Sequence, residues 1–148
     1  MAQTYFGSTV RAGSDTLTDT VDGGFMVLTQ TTTVTTLADG SAVTSTLTLP
    51  VDSQILEFFI DCTTTPVAGG GTATTVPITI GTAAAGTQYL SSTNVISGGR
   101  ASLSFTAAQL EAMRDIGSTT VAFTIDPNGT ISTTQGVYRC TVVYAQKV

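Results

Sequence analysis

One stretch constrains the fold more than any other: Leu49-Pro50-Val51-Asp52-Ser53-Gln54-Ile55-Leu56-Glu57-Phe58-Phe59-Ile60-Asp61-Cys62. It is the densest run of large apolar side chains in the chain. Pro50 and Asp52-Ser53 bound it on one side and Thr63-Thr64-Thr65-Pro66 on the other, the pattern of one central β-strand. Period-two alternation divides that strand into unlike faces. Leu56, Phe58, Ile60 and Cys62 form a continuous apolar row, whereas Ile55 and Phe59 share the opposite row with Glu57 and Asp61. The first row calls for a core, at roughly 1.5–3 kcal/mol for each large side chain fully buried. The second leaves Ile55 and Phe59 in need of cover from a helix, a loop or a neighbouring subunit, which makes them the candidate self-association residues.

The rest of the chain is built to match a strand. Thirty-two of the 148 residues are threonine, many in alternating or consecutive runs such as Thr29 to Thr36 and Thr44, Thr46, Thr48. Threonine is β-branched, favours pleated backbone and offers solvent a hydroxyl without a charge. Charged residues make up only 10% of the chain, against roughly 25% in ordinary soluble domains. So weakly charged an exterior suits a protein held in a dense symmetric assembly.

Several function classes are disfavoured by what is missing. The net charge is −5, and the five cations Arg11, Arg100, Arg114, Arg139 and Lys147 are scattered, so no concentrated basic surface is expected for nucleic acid. No apolar run approaches the roughly 20 residues of a membrane-spanning helix. Met1 to Phe6 has neither a basic nor an apolar leader region, so synthesis in a cytoplasm is expected, with Cys62 and Cys140 as buried thiols rather than a disulfide. There is no histidine, which removes histidine-based nucleophile arrangements and histidine metal sites. Glu57 and Asp61, four residues apart on one strand face, would lie roughly 13 Å apart, too far for a glycosidase pair. Asp15, Asp19 and Asp22 offer oxygen ligands for Ca²⁺ without the spacing of a known loop. Asn128-Gly129-Thr130 matches a glycosylation pattern but reads first as a turn. Tyr89, Tyr138 and Tyr144 could form an aromatic platform for a sugar, although strand tyrosines more often serve a core. The expectation is a non-enzyme with no catalytic, cofactor or metal site.

In chain order, residues 1–23 read as an N-terminal arm and residues 24–148 as a single domain. Asp39-Gly40 between two alternating runs predicts that Phe25–Leu37 and Ala42–Leu49 pair as a hairpin. Gly69-Gly70-Gly71 reads as a loop, followed by a strand over Val76–Ile80 and a long small-residue connection over Thr82–Gly98. A short strand is expected over Ala101–Phe105. Thr106 with Gln109 three residues on forms a capping box that starts one short helix, Ala107 to Ile116, whose buried face would carry Leu110, Met113 and Ile116. Strands follow over Thr119–Asp126 and Gly136–Gln146, the last placing Tyr138, Cys140, Val142 and Tyr144 on one face. About eight strands and one short helix predict an all-β, antiparallel two-sheet sandwich, jelly-roll-like. An immunoglobulin-like sandwich is the runner-up, disfavoured by the lack of tryptophan.

Three segments carry a resemblance. They are Leu49-Pro50-Val51-Asp52-Ser53-Gln54-Ile55-Leu56 running into its apolar strand; Ile78-Thr79-Ile80-Gly81-Thr82-Ala83 followed by Gly86-Thr87-Gln88-Tyr89; and Gly136-Val137-Tyr138-Arg139-Cys140-Thr141-Val142-Val143-Tyr144. Over most of residues 45–146 the chain resembles small β-sandwich structural proteins of tailed bacteriophages, the class that decorates or cements capsids. The resemblance implies a non-enzymatic virion protein on the capsid surface, made in the host cytoplasm, that binds the lattice of the major capsid protein. It also implies a homo-oligomer, with a trimer favoured. It carries over no site residues. Tyr5, Phe6 and Arg11 in the arm are the expected capsid contact, and a carbohydrate- or receptor-binding module of a phage tail or fibre is the alternative.

Overall fold

The computed structural model describes residues 11–12, 15–16, 25–51, 53–67, 70–114, 116, 120–131 and 133–147. Apart from the two-residue pair β1 (Arg11–Ala12) and β2 (Asp15–Thr16), the described strands form two antiparallel four-stranded sheets. The first runs β3 (Phe25–Thr35), β10 (Val137–Lys147), β5 (Gln54–Thr64), β8 (Gly99–Arg100). The second runs β4 (Val43–Thr48), β9 (Thr120–Ile125), β6 (Pro77–Gly81), β7 (Leu90–Asn94). From β3 onward the chain changes sheet at every connection except β6 to β7, the winding of a jelly roll. The two-sheet sandwich expected from strand count and turn spacing is the fold.

The core lies between the sheets, and Phe58 of β5 sits at its centre. Its ring packs edge-on to Phe123 of β9 at 5.9 Å and tilted against Tyr89 at 6.0 Å and Phe105 at 6.4 Å, geometries that suit the aromatic quadrupole. Ile78 and Ile80 of β6, Val121 and Ile125 of β9, and Tyr138, Cys140, Val142 and Tyr144 of β10 complete the interior. Cys62 and Cys140 are both buried and unbridged. Burial, and secondarily the negative Asp61, pushes the Cys140 thiol up to about 12, so it is a neutral packing group at physiological pH.

Four expectations are corrected. First, β3 and β4 do not form a hairpin. The Asp39-Gly40 turn exists, with Gly40 at φ 77° and its N–H donating to the Leu37 carbonyl at 3.2 Å, but it carries the chain from one sheet to the other. Seven residues separate the strands, and β3 instead pairs along its whole length with β10. Side chains, not a backbone ladder, join β3 to β4: Thr32 Oγ1 lies 2.6 Å from Ser45 Oγ, and Gln30 Nε2 donates to the Thr48 carbonyl at 3.1 Å.

Second, the faces of β5 change phase. The β10 partners run Val143 to Glu57 and then Tyr144 to Ile55, so Leu56 is an extra residue in a bulge. Ile55 therefore turns into the core, at 3% exposed, and Leu56 turns out, at 44%. Phe58, Ile60 and Cys62 keep the inward row. Third, α1 (Ala107–Arg114) has its capping box, with Thr106 N–H donating to Gln109 Oε1 at 2.8 Å and Gln109 N–H to Thr106 Oγ1 at 3.3 Å. Its buried residues are Gln109 and Met113, with Ile116 just beyond, while Leu110 is exposed. Gln109 takes the inward position, where it also donates to Ser91 Oγ of β7 at 2.7 Å. Fourth, Ala101–Phe105 is not a strand: pairing with β5 occurs one step earlier, at Gly99–Arg100, and the connection over Thr82–Gly98 contains β7.

Within the second sheet, β9 is covered on its outer face as well. Ala122 and Thr124 of β9 point away from the core yet are buried. The loop after β6 lies over them, with the Ala85 N–H donating to Thr124 Oγ1 at 2.9 Å, while Thr124 Oγ1 also meets Thr44 Oγ1 at 2.8 Å. Gly81 permits this approach, because a Cβ there would lie 2.5 Å from the Gly86 carbonyl carbon.

Candidate interaction surface

The outer face of the first sheet has no such cover among the described residues. Register assembles it in rows across β3, β10 and β5: Thr29–Val143–Glu57, Thr31–Thr141–Phe59, and Thr33–Arg139–Asp61, the last continued by Arg100 of β8. Each position follows from alternation, since the intervening residues Gln30, Thr32, Phe58, Ile60, Cys140 and Val142 point inward.

Asp61 is the electrostatic centre of this face. Arg100 reaches it through two bonds, Nε to Oδ1 at 2.8 Å and a terminal nitrogen to Oδ2 at 3.3 Å, and Arg139 adds a third, to Oδ2 at 3.1 Å. The Asp61 side chain is 14% exposed, against 58% for Arg100 and 55% for Arg139. The hydrogen bonds from Arg100, with the one from Arg139 and the charges of both, hold the Asp61 carboxyl below its usual range. The Arg100 guanidinium also lies over the Phe59 ring, 4.4 Å from its centroid. The result is a surface with one fixed carboxylate, two partly exposed guanidinium groups and a half-buried aromatic ring. Leu56, opened by the bulge, and Val27, 63% exposed on β3, add apolar area near the other end of the face.

The residues singled out from sequence separate. Phe59 is on this face, under Arg100. Ile55 is in the core and is not available beside it. Arg11 lies in β1, paired with Thr16 of β2, whereas Tyr5 and Phe6 fall outside the described residues. Asp15 is in β2, and Asp19 and Asp22 also fall outside; among the described residues no three potential metal-ligating side chains cluster. Tyr89, Tyr138 and Tyr144 are all buried in the core, so they form no platform for a sugar. Sequence reasoning missed the convergence of Arg100 and Arg139 on Asp61. Once β5 is paired with β10, the parity of Asp61 and Arg139 would have revealed that pair; Arg100 enters through a two-residue strand with no sequence signature.

Comparison with family models, with curated proteins and with solved structures gave no match.

Proposed function

We propose that this chain is a non-enzymatic virion structural protein, a capsid decoration or cement protein that binds and stabilises a phage head. The observation that carries the reading is the contrast between the two outer faces. On the second sheet the chain's own loop covers β9; the first offers Phe59 beside the Asp61 cluster and Val27 and Leu56 toward the other end of the face, on a domain with only 10% charged residues. Jelly-roll sandwiches are a recurrent architecture of virion shells and also of lectins. Burial of the three tyrosines removes the residues that favoured the carbohydrate-binding alternative.

In this reading the partner is the lattice of the major capsid protein, and the protein acts on the virion surface after synthesis in the host cytoplasm. Binding to the assembled lattice and not to free subunits stabilises the particle by mass action. The arm, with Tyr5, Phe6 and Arg11, supplies the lattice contact. The test is co-sedimentation of the full chain with assembled, undecorated phage heads. Saturable binding that raises the temperature of head disruption is expected, and deleting residues 1–22 should abolish it while leaving the circular dichroism of the domain intact. Heads that neither retain nor are stabilised by the protein would overturn the proposal, and unchanged occupancy after the deletion would remove the arm from it.

A further inference from the structure

The two sheets have four edge strands, β3, β8, β4 and β7, and they differ in how far they invite pairing. β8 is two residues long and carries the charge of Arg100; β7 has five residues and a register shift against β6; β4 has six residues. β3 has eleven, with no charge, proline or glycine, and its ladder with β10 runs from Phe25 to Thr35 without a shift. Long, regular edges are normally blunted by charge, proline, a bulge or a cover, because their free N–H and C=O groups template another strand. None of the first three devices is present in β3, and no other described strand pairs with its outer edge. The strand is also held in place for pairing. Gln30 donates to the Thr48 carbonyl and to Tyr144 Oη, each at 3.1 Å, Thr32 meets Ser45, and Thr31 Oγ1 lies 2.9 Å from Thr141 Oγ1.

We propose that the outer edge of β3 is an interface with a second copy of this chain, the two β3 strands pairing antiparallel about a two-fold axis at Thr31 to form one continuous eight-stranded sheet. The strand is complementary to itself in that register. On the outer face Thr31 meets its own copy and Thr29 meets Thr33; on the inner face Leu28 meets Val34 and Gln30 meets Thr32. Thr–Thr and Leu–Val are pairings that favour a sheet, Gln30 opposite Thr32 is polar against polar, and Val27 opposite Thr35 is the one mixed pair within the strand. An axis at Thr32 would instead set Gln30 against Val34 and Leu28 against Thr36. No like charges meet, although each copy carries a net charge of −5. This pairing is two-fold by construction and does not depend on the capsid reading. It moves self-association from Phe59 to the edge and from a trimer to a dimer.

The experiment is the molar mass of the full chain by light scattering across concentration, for the wild type, Thr31→Lys and Thr31→Cys. The wild type should reach the mass of a dimer. T31K, which opposes two ammonium groups at the axis, should weaken dimerisation by about tenfold or more without changing the circular dichroism. T31C should form a reducible intermolecular cross-link under mild oxidation, whereas Thr46→Cys on β4 should not. A wild type that stays monomeric at its highest soluble concentration overturns the proposal; that is also the outcome expected if residues 1–24 of the same chain occupy the edge. A dimer that T31C fails to cross-link overturns it as well, whatever T31K does to folding.

Discussion

The two sheets contain the same number of strands and share one core, yet their outer faces have opposite fates. On the second sheet β9 is buried on both sides, because the loop following β6 folds back and gives Thr124 a backbone donor. On the first sheet the corresponding face of β10 and β5 carries hydroxyls, an ion-pair cluster and exposed apolar side chains. A strand buried on both faces contributes to stability alone, whereas one buried on a single face leaves the other free to bind. Among the described residues, the strand buried on both faces lies in the second sheet and the strands with an exposed outer face lie in the first.

The largest test of that division is a matched pair of carboxylates. Ala122→Asp places a charge under the loop of the second sheet, where it has no partner, and should destabilise by at least about 4 kcal/mol or prevent folding. Thr29→Asp, at an exposed position on the outer face of the first sheet, should change stability by no more than about 0.5 kcal/mol. Urea unfolding of both variants checks the pair, and equal losses would erase the distinction between the faces. Next in size is a contrast between adjacent residues of β5. Phe58→Ala removes the ring at the centre of the core and should cost about 3–5 kcal/mol; Phe59→Ala removes a half-buried ring from the outer face and should cost about 1–2 kcal/mol. The same unfolding curves measure it.

The smallest expected effect is a pH dependence carried by Asp61 on the outer face of the first sheet. The carboxyl of Asp61 is held below its usual range in the folded protein, first by hydrogen bonds from Arg100. A group depressed on folding contributes stability that is complete above its unfolded value, about 3.9, and is lost as pH falls through the folded value. Asp61→Asn cannot titrate. Wild type should thus be the more stable at neutral pH, and its advantage should shrink as pH drops below about 4. A stability difference between wild type and D61N that is flat from neutral pH to pH 2 would remove the ion pairs from any role in stability.

Much of this fold is legible in residue order. Alternation over Thr119–Asp126 and Gly136–Gln146 locates β9 and β10 to within one residue at each end, and Thr106 with Gln109 locates the start of the helix, because each signal is local. The candidate surface was half legible. Phe59 and Asp61 were placed on one face by parity, but Ile55 was placed with them, because a bulge at Leu56 shifts the phase and only pairing with β10 creates it. The Asp39-Gly40 turn misled for a related reason. It does reverse the chain, but whether a reversal makes a hairpin or a crossing between sheets depends on which strand wins the ladder, and β10 offered β3 eleven partners.

By itself the sequence determined a threonine-rich, weakly charged β-sandwich with a buried central strand, since period, turn chemistry and composition are properties of neighbours along the chain. Only the tertiary structure decided which outer face is uncovered and which edges are unpaired among the described residues, and that Arg100 and Arg139 meet at Asp61. Those are relations between strands far apart in the chain, 110 residues for Thr31 and Thr141, and strand register, which no local signal encodes, is what sets them.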